Sequence, residues 1–300
     1  MIDRVRLLWK SLTGEINTRK ALYKLIYTAI GYISSFFSFA VLLKELTICD
    51  RLEEFTKECW PIIVIAGLLA SCVSNRKKIN YYKTVSDCDM QIAISVKDIF
   101  SNRTANSYVI PTNTFFRTKM EDEYISPQSV QGRFQLKYFK NDIDHLDKMI
   151  SASLVKQGID GEDAHDCFGL TKKYPIGTVA KINYKKKHFY FVAVNDVNRY
   201  GKPIGQNLEN VTKALDSVIK AIRKIGHCDT LCVPLIGSGR AAIREATKEI
   251  VSQKTIDCFV ESEDKVVSKL IISIRPKDYL NGEIDLDRVK RYLDYRCEFC

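Results

Sequence analysis

Nineteen consecutive residues, Leu25 to Leu43, carry no charge. As a helix that run is about 28 Å long, close to the roughly 30 Å hydrocarbon core of a bilayer, and it is expected to span a membrane. A second uncharged run, Cys59 to Asn75, has seventeen residues. It measures about 25 Å by the same rise and opens on Trp60 and Pro61, an interfacial anchor and a residue suited to a helix first turn. Together they predict a two-helix transmembrane hairpin, with spans at about 22–43 and 60–75. The competing readings are two buried core helices or a cleaved signal peptide. Cleavage is disfavoured because Leu42-Leu43-Lys44-Glu45 offers no small-x-small site and a second apolar run follows closely.

Charge orients the hairpin. Arg4, Arg6, Lys10, Arg19, Lys20 and Lys24 precede the first run, and Arg76, Lys77 and Lys78 follow the second. The connection between them carries Glu45, Asp50, Glu53, Glu54 and Glu58 against Lys44, Arg51 and Lys57. The positive-inside rule then places both termini in the cytoplasm of a multi-pass protein of the plasma (inner) membrane, its basic flanks near anionic lipid. Of the net charge of +10, residues 79–300 hold only +5, from 34 basic and 29 acidic side chains. Nucleic acid is not an indicated partner. Lys172-Lys173 and Lys185-Lys186-Lys187 read as solvated turns beside strands and are assigned no ligand.

The ten cysteines are scattered through 300 residues, which in a reducing cytosol means free buried thiols. Cys297 and Cys300 make a lone C-x-x-C, and His145, His165, His188 and His227 follow no ligand spacing. No metal, cofactor or catalytic constellation is expected.

Residues 1–83 thus form a basic segment and hairpin, and 84–300 a cytoplasmic domain in which strands and helices alternate. Strands are expected at 91–96, 107–112, 179–182, 189–194, 231–236 and 269–274. Helices are expected at 132–138, 143–155, 208–225, 241–260 and 286–295, with a mobile Gly/Asp-rich loop at 157–169. The apolar central strands imply an α/β fold with a mostly parallel sheet covered by helices. Within CVPLIGSGRAA, Cys232 to Ala242, a glycine pair follows a buried strand where a helix should begin, and backbone amides at such a turn cradle phosphate. The loose G-x-G-x-x-A pattern, with Asp257 twenty residues beyond Gly237, lies too late in the chain for a dinucleotide fold.

Three stretches, in order, resemble a macro domain, the ADP-ribose-binding module. They are VKDIF (Val96 to Phe100), similar to the family's G-D-I-x; VIPTN (Val109 to Asn113), similar to its V-N-A-A-N; and VPLIGSGR (Val233 to Arg240), similar to its late phosphate loop. The resemblance implies a macro-domain-like mixed or parallel sheet with helices on both faces. It also implies that Asp98 accepts from the adenine amino group beside the Ile99 backbone, that Asn113 reaches the distal ribose, and that Gly237, Ser238, Gly239 and Arg240 hold the diphosphate. No Gly-Gly-Gly loop is present; ISPQSVQG supplies Ser129, Val130 and Gly132 as the first diphosphate loop. Ile110 stands where the family's first asparagine would be, which favours a reader of ADP-ribose over a hydrolase.

Two spans followed by a macro-like domain with SVQGRF, KYPIGT and VPLIGSGR look like the membrane effector of type II Thoeris anti-phage systems. That resemblance implies a TIR-domain partner enzyme that consumes NAD to make an ADP-ribose conjugate, histidine-ADP-ribose being the expected form. It further implies homo-oligomers that disrupt the membrane and kill the infected cell. The alternatives are a membrane-bound ADP-ribosyl hydrolase and a scaffold with an empty pocket.

Overall fold

In a computed structural model the chain divides into two compact units, Met1–Ile79 and Asn80–Cys300. All residues are described except 1, 14–18, 46–50, 77, 87, 121–124, 165–171, 199–201, 239–242, 244–245, 263–264 and 300. The first unit is helical, with α1 (Ile2–Thr13), α2 (Arg19–Glu45) and α3 (Arg51–Ser74). α2 holds the apolar window Leu22–Leu43, 22 residues long and only 11% buried. Tyr27, Ile30, Phe39 and Leu42 are exposed on it. A core helix of a water-soluble fold would bury such side chains.

The second stretch departs from expectation. α3 has 24 residues, but Arg51, Glu53, Glu54 and Lys57 charge its first turns, and its apolar part is confined to Glu58–Ser74. Among the described residues one helix, not two, is long and apolar enough to cross a membrane. α3 nevertheless packs antiparallel on α2. Thr28 Oγ1 and Ser71 Oγ lie 2.5 Å apart, Ser71 Oγ donates to Leu25 O at 2.7 Å, and Asn75 Nδ2 donates to Thr28 Oγ1 at 2.7 Å. These bonds satisfy polar side chains on otherwise apolar helices, which matters most away from water.

The second unit consists of β1 (Asn80–Thr84), β2 (Gln91–Val96), β3 (Ser107–Asn113), α4 (Val130–Tyr138), α5 (Ile143–Lys156), β4 (Glu162–Asp163), β5 (Lys172–Lys173), β6 (Val179–Tyr184), β7 (Lys187–Val197) and β8 (Pro203–Ile204), then α6 (Leu208–Ile225), β9 (Cys228–Pro234), α7 (Lys248–Val260), β10 (Val267–Ile274), α8 (Pro276–Leu280) and α9 (Leu286–Glu298). An eight-stranded mixed sheet runs β1-β2-β10-β9-β3-β7-β6, with β8 paired to β7. The parallel block is β2-β10-β9-β3-β7. Both edges are antiparallel: β1 on β2, which periodicity did not reveal, and β6 on β7. The β6–β7 connection is tight because Lys185 and Lys186 both take positive φ, 48° and 59°, as a two-residue primed hairpin requires.

α4 and α5 cover one face of the sheet. Phe134, Leu146, Ile150 and Leu154 pack there with Ile110, Ile182, Phe189 and Phe191. The alternate β7 residues Tyr190 and Val192 are buried as well, so the other face is also covered. α6 packs against β7 and carries a buried stripe of Val211, Ala214, Leu215, Val218 and Ile222. Within the loop expected at 157–169, β4 pairs antiparallel with β5, which lies just beyond it, as a short ladder. Lys172 and Lys173 sit in that ladder and are ion-paired rather than simply solvated, Lys172 with Asp160 and Asp163, Lys173 with Asp196.

Candidate functional site

In parallel α/β sheets the strands' carboxyl ends are where a ligand finds free backbone groups and converging loops. Here β2, β3, β9 and β10 end together, and a cavity of about 620 Å³ opens beside them. Its lining includes Ile99, Thr112, Asn113, Ser129, Val130, Gly237 and Ser238. Segments separated by more than a hundred residues of chain are thereby brought to one hollow.

Ile99 lines the cavity from the 3-10 turn Ile99–Ser101 that follows β2. Asp98, one residue earlier, caps that turn: its Oδ1 accepts from Phe100 N at 2.9 Å, while Oδ2 is ion-paired with Arg133. Asn113 ends β3 at a register irregularity between Thr112 and Asn113. Its Oδ1 accepts from Phe115 N at 3.0 Å and Arg117 N at 3.3 Å, so what it can offer a ligand is its Nδ2 donor.

Ser129 is the N-cap of α4, accepting from Gly132 N at 2.9 Å. The orphan amides of that first helical turn sit beside the cavity-lining Ser126, Gln128, Ser129, Val130 and Gln131, a geometry suited to an anion. Gly132 itself does not line the hollow. It is buried against the preceding loop, where a Cβ would lie 2.2 Å from Ser126 O.

The late loop differs from its expected form. The helix predicted from Ala241 begins only at Lys248, capped by Thr247 Oγ1 accepting from Ile250 N at 3.4 Å. Gly237 and Ser238 lie in a turn, and among the described residues the next helix is α7, starting at Lys248. Gly237 has φ +76°, and a Cβ there would meet Ile243 Cδ1 at 2.8 Å. Ile243 N donates to Gly237 O at 3.1 Å, which closes the turn. Ser238 donates to Leu235 O through both its amide, at 3.4 Å, and its hydroxyl, at 2.7 Å. Gly239 and Arg240 lie outside the described residues.

Sequence reasoning missed the charged groups that line the same hollow. Arg133 stands inside the SVQGRF motif, and Arg275 directly follows the apolar β10; either position could have signalled a strand-end or loop cation. Arg275 donates to both oxygens of Asp278, from Nε at 3.0 Å and Nη2 at 2.9 Å, and from Nη2 to Ser238 O at 3.3 Å. Lys248 pairs with Asp278 at 2.9 Å and with Glu283 at 2.5 Å. Burial, then the nearby positive charge of Arg275, lowers the Arg133 pKa. Lys248 and Asn281 hold the Glu283 carboxyl below its ordinary range. Every described carboxylate that lines the cavity is thus engaged by a cation, which suits binding better than proton transfer.

The residues 92–275 match the family model described as "Thoeris protein ThsA, Macro domain". The chain belongs to that Thoeris ThsA macro-domain family. The curated Thoeris protein ThsA of Bacillus amyloliquefaciens (strain Y2) is 27% identical over 151 residues, 50% of this chain and 49% of that protein. The chain therefore spans about half the length of the curated relative it matches. Among solved structures, an Oceanobacillus iheyensis macrodomain with ADP aligns with a TM-score of 0.49 at 12% identity, over 74% of this chain and 98% of that one. A Trypanosoma brucei macrodomain in complex with ADP-ribose aligns with a TM-score of 0.42 at 10% identity, over 64% of this chain and 67% of that one.

In this ThsA macro domain the wall behind Asn113 is held by Asp196. Burial works to raise the Asp196 pKa, but Lys173, Val197 N–H and the Thr114 hydroxyl hold it below the usual carboxylate range. A depressed native pKa contributes stability above the unfolded value of about 3.9 that is lost as pH falls through the native one. Thermal unfolding followed by circular dichroism should show the wild type losing stability more steeply below pH ~4 than Asp196→Asn. Parallel pH profiles would show that the network contributes nothing.

Proposed function

We propose that this protein is a membrane-anchored effector of Thoeris anti-phage defence that senses an ADP-ribose conjugate made by a TIR-domain enzyme, histidine-ADP-ribose being the favoured form. Ligand would order the loops around the cavity, drive assembly of several chains, and crowd their N-terminal helices until the bilayer fails and the infected cell dies. The observation that carries this reading is the convergence of Ile99, Asn113, Ser129, Val130, Gly237 and Ser238, from four motifs spread along the sequence, on one cavity.

Asp98 would accept from the adenine amino group. Asn113 would donate to the distal ribose. The first turn of α4, with Gly132 shaping its approach, and the Gly237–Arg240 loop would hold the diphosphate. A sensor rather than a hydrolase is supported by the ion pairing of Asp278 and Glu283, which leaves neither lining carboxylate poised as a general base.

Anchoring is supported by the exposed, 22-residue window of α2. The short apolar part of α3 would be carried with it as the return half of a hairpin, both termini cytoplasmic. Gly31 and Gly67 would then have different tasks. A Cβ at Gly67 would lie 2.5 Å from Ile33 Cγ1, so this glycine serves α2–α3 packing, whereas nothing lies within 4 Å at Gly31, leaving it free for contact with another chain.

Dye-loaded liposomes carrying the full-length protein test the whole proposal. Addition of histidine-ADP-ribose should release dye from vesicles with wild-type protein. Gly31→Leu should suppress that release by about tenfold, as expected for a lost close helix contact, while leaving nucleotide binding unchanged. Absence of ligand-dependent leakage would remove the effector function.

A further inference from the structure

A purine presents two broad flat faces, and binding sites ordinarily hold such a base by stacking it on another plane. Among the described residues the cavity is lined by no aromatic side chain. The planar groups that line it are the guanidiniums of Arg133 and Arg275, together with side-chain amides.

The two arginines are placed differently. Arg133 shares the Asp98 carboxylate, the group proposed to read the edge of the base, and so lies in line with that edge. Arg275 flanks it. β10 pairs in parallel with β2, with Ile274 opposite Val96, so the next residue, Arg275, stands beside Lys97, one position before Asp98, on a strand about 4.8 Å away. Ser273 Oγ donates to Lys97 O at 2.8 Å, which ties the two strand ends together.

The guanidinium of Arg275 is also fixed. Its in-plane donors Nε and Nη2 are spent on Asp278 and Ser238 O. Arg275 lines the cavity, and a fixed guanidinium plane stacks well on an aromatic ring.

We infer that Arg275 is the stacking surface for the purine of the bound nucleotide, a specificity role that rests on the ADP-ribose reading above. Asp98 and Ile99 would then meet the base at its edge and Arg275 would meet it on its face. Because Arg275 also bonds Ser238 O, base binding and the diphosphate loop would be mechanically joined.

Plane and charge can be separated by substitution. Arg275→Lys keeps the charge and loses the plane; Arg275→Phe keeps a plane and loses the charge; Arg275→Ala loses both. Lys248 stays paired with the buried Asp278 in all three, so the carboxylate is not orphaned. Melting temperatures would verify that each variant is folded.

ADP-ribose is titrated calorimetrically into each full-length protein in detergent. Arg275→Ala and Arg275→Lys should bind about ten- to a hundredfold more weakly than wild type, and Arg275→Phe within roughly threefold of it, as the loss or retention of one base stack dictates. Wild-type affinity for Arg275→Lys with weak binding by Arg275→Phe would overturn stacking in favour of charge. Equal affinities throughout would overturn it by showing that Arg275 does not contact the base. No heat with the wild type would overturn the ADP-ribose reading and this inference with it.

Discussion

Gly132→Val should weaken ADP-ribose binding by about a hundredfold, the upper end of what overpacking costs when the obstructing atoms are backbone. The clash is specific. A Cβ at this position would sit 2.2 Å from Ser126 O, 2.9 Å from Ser126 C and 3.0 Å from Pro127 Cα. None of these can swing away as a side-chain tip would, so the whole 125–129 loop must move. That loop contributes Ile125, Ser126, Gln128 and Ser129 to the cavity wall, and Ser129 also caps α4. Moving it opens the wall and uncaps the helix in one step. Calorimetry reports the affinity and a thermal melt reports the fold; unchanged affinity in a folded variant would show that this loop does not shape the site.

Phe134→Ala should destabilise the second unit by about 3–5 kcal/mol, the range for deleting a large buried aromatic side chain. Phe134 is fully buried and central to an aromatic cluster. Its ring centroid lies 4.7 Å from Phe189, 5.1 Å from Phe191, 5.3 Å from Tyr138 and 5.5 Å from Phe139. Phe189 and Phe191 are on β7, which is hydrogen-bonded to β3 on one side and β6 on the other, so no neighbour can close the hole without bending the sheet. Domains of this size are stable by only about 5–15 kcal/mol, which makes the loss a large fraction of the whole. Denaturant unfolding should show a midpoint displaced accordingly, and a shift below about 1 kcal/mol would mean that the cluster repacks. Because Arg133 precedes Phe134 on α4, the same change should loosen the Arg133–Asp98 ion pair and with it the Ile99 turn.

The parts of this fold that could be read from the sequence are those where one physical signal dominates. α6 is the clearest case: its apolar residues recur at helical spacing and its observed limits, Leu208–Ile225, are those the pattern predicts. β2 and β10 are similarly plain because their residues are buried on both faces. β1 escaped notice because its side chains alternate between exposed and half-buried on an edge strand, with tyrosines and a lysine rather than an apolar run. The helix expected from Ala241 began late because the apolar pattern continues through Ile243, whose side chain packs on Gly237 rather than on a helical neighbour. The second membrane stretch was overestimated because an uncharged run and an apolar run were treated as one, although Ser71, Ser74 and Asn75 are polar and bond across to α2.

The candidate site was legible where backbone conformation demands glycine or a strand end demands a small polar residue, hence Gly237, Ser238 and Asn113. It was not legible at Lys248 and Asp278, far apart in sequence, whose ion pair exists only once the start of α7 is brought to α8, nor at Arg275, which joins the same Asp278 from three residues away. Single-sequence patterns carry no information about such partners.

A crystal structure of the full-length protein grown with ADP-ribose tests the central claim most directly. The account predicts the diphosphate between the first turn of α4 and the Gly237–Ser238 turn, the adenine edge at Asp98 and Ile99, and the distal ribose at Asn113. A nucleotide bound anywhere else, or this cavity left without one at saturating ligand, would contradict it.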